Sequence, residues 1–548
     1  MTRRRNKPHR FERQAVALGD LEGILQRTKT GALDDVDRAT LKAAIDTLAF
    51  VTRELESQGA SLERLRRMLF GARTETTAEV LGEQEDGSDT GREKRRYARE
   101  TKTRKGHGKN GAAAYPRAAR VAVPHDSLVH TGRCPDCERG KVYEQKDPSV
   151  LVRVTGVAPL RATVYELARL RCNLCGTVFT AAPPAGVASE KYDETAASMI
   201  ALMKYGCGLP FHRLERLEKN LGIPLPAATQ WEVVHQAAGF LEPVYAEFVR
   251  QAAQGEVLHN DDTSMKILEL TDEARAEALP AGAREERTGV FTSGIVSLVG
   301  GHRIALFATG PQHAGENLAD VLAHRDGERA PPIQMSDALT RNTPGDRETI
   351  AASCLAHARR KYVDVATRFP DECRYVLETL RDVYRNDAQA RERGLLAEER
   401  LSFHQAESAP LMTDLEQWLE VQLEQRKVEP NSALGEAIGY MQKHWEKLTL
   451  FLRVPGAPID NNVCERALKK AILHRKNALF YKTLNGARVG DVFMSLIHTA
   501  ELGNVEPFHY LVALLRHAEA VLLEPAVWMP WNYTEPLARL EVPSDALN

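Results

Sequence analysis

Two CxxC pairs impose the tightest local restriction on the fold of this chain. Cys134-Pro-Asp-Cys137 and Cys172-Asn-Leu-Cys175 each put two thiolates on one tight turn, and two such turns complete a closed tetrahedral zinc site. The segment between them is rich in Val, Leu and Tyr, which predicts an extended strand hairpin. A chance grouping of four structural cysteines is the alternative. We therefore predict a zinc-ribbon domain over residues 121–187 that binds a structural Zn²⁺.

The size and composition of the chain indicate a multidomain globular protein. Its 548 residues exceed the roughly 250–300 at which single cores stop growing. It is 43% hydrophobic and 27% charged, and no apolar run approaches the roughly 18–20 residues of a membrane span. The basic N-terminus has no apolar region behind it, so a secretory signal is not expected. Eight cysteines fit a reducing compartment. These features predict a cytoplasmic location.

Residues 1–81 are predicted to form a helical region. The leucines with heptad spacing are Leu41, Leu48, Leu55, Leu62 and Leu69. A coiled coil needs a second apolar residue in each heptad, and after Ile45 the residues at that position are not suitable. Gly59 weakens the helix further. Both a dimerising zipper and an amphipathic helix packed on its own protein remain open.

Residues 82–120 are predicted to form a basic flexible arm. The net charge of the chain is only −2, but between Arg92 and Arg120 there are eleven Lys/Arg residues against two Glu. Such a stretch is either a solvated linker or a patch that neutralises DNA phosphates and releases counterions.

Residues 188–254 have a helical pattern. A helix from Leu209 to Asn220, a turn, and a helix from Ala227 to about Gly239 are consistent with a helix-turn-helix. The second helix would then enter the major groove. Helical hairpins are common, so simple packing is the alternative.

The pattern changes after Gly255 from helical to strand-like. We predict, in order, strands at 256–261, within 288–300 and at 302–309, a helix at 315–325, a strand at 333–337, and helices from Ser353 to about Leu452, at 460–473 and at 490–502. Three strands, a helix and a fourth strand are the order of an RNase H-like fold. The predicted fold class is therefore multidomain α/β.

Three carboxylates lie at the ends of predicted strands or near the start of a predicted helix. Asp261 closes the first strand, Asp337 closes the fourth, and Glu465 lies near the start of a late helix. Phosphoryl transfer uses two divalent ions about 4 Å apart, held by oxygen ligands. Each residue alone would more often be a surface or capping group, as Asp460 can be for the late helix. Their joint order predicts a site for Mg²⁺ or Mn²⁺.

Several segments together resemble the large transposases of the bacterial IS-sixty-six insertion-sequence family over nearly the whole chain. They are Met68-Leu-Phe-Gly-Ala-Arg-Thr-Glu75, Lys105-Gly-His-Gly-Lys109, the two CxxC pairs, 209–222, 259–263, Ser336-Asp337, Asp460-Asn-Asn-Val-Cys-Glu-Arg466, His474-Arg-Lys-Asn-Ala-Leu-Phe480, Val505-Glu-Pro and Trp528-Met-Pro-Trp-Asn-Tyr533. The resemblance implies an Asp-Asp-Glu transposase with catalytic Asp261, Asp337 and Glu465. It implies core parts at 255–370 and 456–504, an inserted helical region at 371–455 and a C-terminal helical tail at 505–548.

The chain departs from the usual family pattern beside the first aspartate. Asp262 stands where the family more often has Glu, and Ser264 stands where Pro is usual. Adjacent strand residues point to opposite faces, so only one of Asp261 and Asp262 should bind metal. We assign that role to Asp261.

Two further groups of residues have more than one interpretation. Cys354-Leu-Ala-His357 resembles a CxxH element of several transposase groups. We interpret it as a helix face packed on the core, with His357 near DNA. The basic residues close to Glu465 are either a solvated surface or phosphate contacts. The candidate DNA-binding residues are Lys105, Lys109, Arg213, Arg466, Lys469, Lys470, Arg475 and Lys476.

The resemblance implies an enzyme that binds terminal inverted repeats, cleaves to expose a 3′-hydroxyl and joins it to target DNA. It also implies small accessory proteins of the same element. The heptad leucines predict at least a dimer, and we expect the protein to associate with the nucleoid. Two alternatives stay open. One is a domesticated DNA-binding protein without catalysis, and the other is a nuclease without strand transfer.

Overall fold

The computed structural model describes residues 190–270 and 289–540 without interruption. Shorter described pieces are residues 34, 38, 41–42, 77–80, 112–114, 120–123, 125, 127–143, 149, 151–154, 157–171, 173, 175 and 177–188. The heptad leucines after Leu41, most of the basic arm with Lys105 and Lys109, and the zinc candidate Cys172 therefore lie outside the described residues. The chain divides into two compact units, Glu85–Arg161 and Met1–Gln84 with Ala162–Asn548, which are described separately.

A five-stranded mixed sheet organises the larger unit. Its strands follow a short antiparallel hairpin of β1 and β2 in the chain. In order the strands are β1 (Arg169–Arg171), β2 (Val178–Thr180), β3 (Val257–Met265), β4 (Val290–Val299), β5 (His302–Gly310), β6 (Ile333–Ser336) and β7 (Ile350–Ser353). Across the sheet the order is β5-β4-β3-β6-β7. The first three strands pair antiparallel, whereas β6 runs parallel to β3 and β7 parallel to β6.

Helices account for most of the remaining described chain. In order they are α1 (Thr77–Val80), α2 (Glu194–Ala201), α3 (Phe211–Asn220), α4 (Ala227–Ala252), α5 (Ala314–Leu322), α6 (Leu355–Val365), α7 (Pro370–Glu392), α8 (Ala397–Glu407), α9 (Ala409–Glu424), α10 (Ala433–Lys443), α11 (Trp445–Leu448), α12 (Asn462–Ala478), α13 (Leu484–Leu502), α14 (Pro507–Arg516), α15 (Ala518–Leu523) and α16 (Thr534–Leu540). Among the described helices, none is both long and apolar enough to cross a membrane. The predicted α/β class is confirmed at the level of a mixed sheet with many helices.

The edge strand β5 is covered by α13. A strand at the edge of a sheet leaves a row of unpaired amides that need other partners. The amides of Ala305 and Phe307 donate to the hydroxyls of Thr499 and Ser495, at 3.0 Å each, and the amide of Thr309 donates to Asp491 at 2.7 Å. The three acceptors are spaced four residues apart and so share one helix face. This face of α13 closes the edge of the sheet.

Several elements differ from the predicted ones, and helix α13 begins at Leu484, six residues before the predicted start. Strand β3 runs to Met265, four residues past Asp261, because its far half pairs with β4, although consecutive Asp residues disfavour a strand. Strand β7 was not predicted, since its four residues carry too little pattern. Helix α4 continues to Ala252 instead of ending near Gly239, because one of its faces is buried along its whole length against β4, β5 and α13.

Helices α6, α7, α9, α10 and α11 form a core together with residues of the sheet. The cluster includes Val257 of β3 and Met335 of β6, together with Leu377, Leu380 and Ile438 from the helices. Because the core is continuous from sheet to helices, the helical region is anchored to β3, which contains Asp261, and to β6, which precedes Asp337.

A buried carboxylate fastens α7 to α8 inside that region. Asp387 is 3% exposed, and its oxygens lie 2.7 Å from Arg391, 2.6 Å from Arg400 and 3.3 Å from His404. Burial alone would raise the pKa of Asp387. The hydrogen bond from His404 and the charges of the two arginines outweigh that effect and hold the pKa below its ordinary value.

We expect Asp387→Asn to lower the free energy of unfolding by about 2 kcal/mol at neutral pH, less than the ~3–5 kcal/mol of fully buried pairs because both arginines are partly exposed. The native-state pKa is depressed, so the contribution exists above the ordinary pKa near 3.9 and disappears as the pH falls through the lower native value. Urea unfolding at a series of pH values measures it. The control is Asp382→Asn on the same helix, an exposed pair expected to change little. Equal losses in both variants, or a loss independent of pH, would contradict the prediction.

Candidate active site

Two adjacent parallel strands put Asp261 and Asp337 side by side. The register pairs His259 of β3 with Met335 of β6. Two residues further along each chain segment, Asp261 of β3 is therefore level with Asp337, which directly follows the end of β6. Neighbouring strands are about 4.8 Å apart. Burial, and next the negative charge of Asp337, raise the pKa of Asp261 to about 7, and Glu465 adds to the effect. The predicted aspartates therefore lie close enough to repel each other.

Glu465 comes to the same place from a helix. It lies in the first turn of α12, and α12 packs across β3 and β4. The thiol of Cys464 donates to the carbonyl of Gly294 at 3.2 Å, and Gly294 is the register partner of Asp261. A Cβ atom at Gly294 would lie 3.0 Å from the side chain of Leu468. Because Gly294 has no side chain, α12 can approach the sheet closely beside Asp261.

Asn461 ties the start of α12 to β3. Its side-chain amide donates to the carbonyl of Asn260 at 3.1 Å, and its Oδ1 lies 3.1 Å from Nδ1 of His259. Asn461 is fully buried, so both bonds are shielded from water. They fix the point from which Glu465 projects.

Amide side chains also orient Asp337. Asn342 donates from Nδ2 to Asp337 Oδ1, and the amide of Leu339 donates to the same oxygen at 3.3 Å. The carbonyl of Asn342 in turn accepts from Asn260 at 2.8 Å and from Gln334 at 2.6 Å. This buried network holds the loop after β6 against β3.

Asp262 has partners of its own. Its carboxylate is 1% exposed and lies 2.8 Å from Nδ1 of His313 and 3.2 Å from the guanidinium of Arg341. Strand alternation directs it away from the face of Asp261. The charge of Asp262 is therefore engaged with two basic groups, whereas Asp261 faces other carboxylates.

The basic candidates near Glu465 divide into two groups. Arg466, Lys469 and Lys476 are exposed. By contrast, Lys470 pairs with Glu501 at 2.9 Å. Arg475 donates to the hydroxyls of Thr263 at 3.0 Å and Ser264 at 2.6 Å, which lie at the end of β3. The more distant candidate Arg213 is exposed on α3. Sequence reasoning did not distinguish these surroundings.

The first cysteine pair has the local geometry of a metal-binding turn. The amide of Cys134 donates to the carbonyl of Gly140 at 2.8 Å, and the amide of Gly140 donates to the sulfur of Cys137 at 3.4 Å. The backbone amides of Gly140 and Arg139, followed by Cys134, lower the pKa of the Cys137 thiol. In the other unit, Cys175 is exposed in the turn between β1 and β2. The completed four-thiolate site remains a prediction, because Cys172 lies outside the described residues.

Sequence reasoning missed a contact at Glu465. Cys354 is buried, as expected for a packed helix face. However, Cys354, His357 and Glu465 bring their ligand atoms within 4.8 Å of one another. The CxxH spacing was visible in the sequence, but its relation to a residue more than a hundred positions later was not.

Comparison with known proteins agrees with the resemblance seen in the sequence. The family described as "Transposase IS66 family" matches residues 190–489, a range that contains Asp261, Asp337 and Glu465. Two similar proteins of Sinorhizobium fredii are both named as uncharacterized. The protein y4jD is 27% identical over 384 residues, covering 67% of this chain and 71% of that protein. The protein y4hP is 26% identical over 513 residues, covering 86% and 88%. Since the family match spans more than half of the chain, the protein belongs to the IS66 family of transposases.

Proposed function

We propose that the protein is an Asp-Asp-Glu DNA transposase that binds the terminal inverted repeats of its element, cleaves a DNA strand and transfers it to target DNA. The observation that carries this proposal is the convergence of Asp261, Asp337 and Glu465 from two strands and a helix. Their separation in sequence makes such convergence unexpected unless the three carboxylates act together.

The architecture around these residues supports an RNase H-like core. The sheet has three antiparallel strands followed by two parallel ones, with the central strand bearing Asp261. Helix α12, which bears Glu465, packs on that central strand. In this proposal the core comprises residues 255–370 and 456–504, and helices α7 to α11 are the inserted region.

The electrostatics of the three carboxylates fit a divalent cation. Burial, and next the charges of Asp337 and Glu465, raise the pKa of Asp261, so the negative charge of Asp261 is unfavourable here unless a cation compensates it. Asp261, Asp337 and Glu465 offer the oxygen ligands that Mg²⁺ and Mn²⁺ prefer. When bound, such ions supply activation of the attacking oxygen and stabilisation of the leaving oxygen. The protein's own contribution is orientation, since Asn342 holds Asp337 and Asn461 holds the helix of Glu465.

DNA would be held by basic side chains near this site. Arg466, Lys469 and Lys476 are exposed and follow Glu465 on α12, where they can contact phosphates. Lys470 and Arg475 are better suited to positioning, because each is already bonded within the protein. Arg213 on the predicted helix-turn-helix, with Lys105 and Lys109 of the basic arm, would add sequence-independent affinity.

The predicted zinc ribbon gives a direct measurement. We expect freshly purified protein to contain about one tightly bound zinc ion per chain and Cys134→Ser with Cys137→Ser to lose it, with local unfolding, because metal binding supplies much of the folding energy of such modules. Elemental analysis measures the metal, and limited proteolysis reports the unfolding. Protein that contains no zinc would contradict the prediction.

The partners in this proposal are two DNA molecules, a second copy of the chain and small accessory proteins of the element. A location in the bacterial cytoplasm at the nucleoid follows from a DNA substrate. Pairing through the N-terminal heptads is part of the same proposal.

The decisive experiment incubates purified protein with DNA carrying the cognate element ends and Mg²⁺ or Mn²⁺. We expect cleavage at the ends and joined products. Specific end binding without cleavage would instead identify a domesticated DNA-binding protein. Cleavage without joined products would identify a nuclease.

A further inference from the structure

A pair of side chains beside Glu465 has no part in the proposed strand-transfer chemistry. Cys354 directly follows β7 at the N-cap position of α6, and His357 lies in the first turn of that helix. Residues three apart share a helix face. Cys354 and His357 therefore face the start of α12, where Glu465 projects.

The ligand atoms of the three residues are close but not bonded to one another. They lie within 4.8 Å of each other, and Nδ1 of His357 is 3.8 Å from Oε1 of Glu465. Nδ1 of His357 is buried and has no hydrogen-bond partner. An unsatisfied buried polar atom is destabilising, and a ligand bound at this nitrogen would compensate for the missing hydrogen bond.

Backbone donors face the sulfur of Cys354, although burial raises the pKa of its thiol to about 12. The amide of Asn461 donates to it at 3.2 Å, and the backbone of His357 donates as well. Amide donors stabilise negative charge on sulfur. Cys354 is fully buried, whereas the side chains of His357 and Glu465 are 29% and 32% exposed. One ligand is thus fixed, and the other two can adjust while water reaches the site.

We propose that Cys354, His357 and Glu465 form a second metal site, selective for Zn²⁺ or a similar borderline-soft ion, with water as the fourth ligand. Typical Zn–S, Zn–N and Zn–O lengths of about 2.0–2.3 Å place tetrahedral ligands roughly 3.3–3.8 Å apart. The partly exposed His357 and Glu465 need to move by only about 1 Å to reach that spacing. Binding releases the thiol proton of Cys354 to solvent. A thiolate and an imidazole do not suit Mg²⁺, so the site discriminates against it.

This site shares Glu465 with the acidic cluster. A zinc ion held by Cys354 and His357 would draw the carboxylate of Glu465 away from Asp261 and Asp337. This consequence, which rests on the proposed function, makes the ion an antagonist of Mg²⁺-supported cleavage. The binding site itself does not depend on catalysis.

The test measures zinc per chain in full-length protein equilibrated with buffered micromolar Zn²⁺ in the absence of DNA. We expect Cys354→Ser and His357→Ala each to bind about one zinc ion fewer than the unaltered protein. We expect Glu465→Ala to weaken binding at this site at least about tenfold, since one of three protein ligands is lost. His357→Ala removes a partly exposed side chain, so it reports on binding even if Cys354→Ser disturbs the core.

The matched control is Cys373→Ser. Cys373 is also fully buried, and burial raises the pKa of its thiol to about 12, as it does for Cys354. Among the groups of metal ligands found in the described residues, Cys373 belongs to none. This variant should keep the full zinc content. Equal zinc content in the unaltered protein, Cys354→Ser and His357→Ala would overturn the proposal, and so would equal losses in all three cysteine and histidine variants. Neither result would bear on cleavage, which the element-end assay measures separately.

Discussion

Replacing Asp261 by Asn is expected to reduce strand cleavage on the order of 1,000-fold or more, with binding of the element ends kept or slightly strengthened. Metal ions contribute several kcal/mol of transition-state stabilisation, and each 1.36 kcal/mol is a factor of ten in rate. Loss of a carboxylate also relieves repulsion of DNA phosphates. Asp337→Asn and Glu465→Gln should behave alike, because all three carboxylates act on the same ions. Cleavage of labelled element ends and a parallel binding titration measure the two effects.

The matched control is the neighbouring Asp262→Asn. Asp262 is nearly buried and bonded to His313 and Arg341, so we expect a loss of stability of about 1–3 kcal/mol with cleavage largely retained. An inactive Asp262 variant beside an active Asp261 variant would show that the metal ligand is misassigned by one residue. Full activity in all of these variants would remove the catalytic proposal.

Replacing Gly294 by Val is expected to reduce cleavage about 100-fold without abolishing folding or DNA binding. A Cβ atom there already lies 3.0 Å from Leu468 and 3.5 Å from the sulfur of Cys464, so larger groups must push α12 away from β4. Glu465 then moves relative to Asp261, and displacement of a catalytic group by about 1 Å costs on the order of 100-fold.

The control for this variant is Gly310→Val. Gly310 ends the neighbouring strand β5, and a Cβ atom there would meet no atom within 4 Å. Its replacement should leave cleavage nearly unchanged. A Gly294 variant as active as the Gly310 variant would mean that close contact of α12 with the sheet does not position Glu465. Thermal unfolding of both proteins separates a local shift from general loss of structure.

Short-range pattern predicted much of the core. The strand-like residues of β3 and β4 and the position of Asp337 directly after a buried strand are local properties, visible in a few consecutive residues. Alternation also predicted that Asp261 and Asp262 face opposite sides, and the separate partners of Asp262 agree with this. Patterns failed where residues were few or weakly strand-forming, as in β7 and the far half of β3.

By itself, the sequence determined most strands and helices of the core, although not β7, the order of its acidic residues and the resemblance to a transposase family that the comparisons confirmed. Only the tertiary structure decided which charged groups have partners. Lys470 and Arg475 resemble Lys469 and Lys476 in sequence, yet the first two bond to Glu501 and to the end of β3. It also brought His357 to Glu465. The physical reason is that side-chain periodicity is set by the local backbone, whereas partners distant in sequence are selected by the packing of α12 and α6 on the sheet.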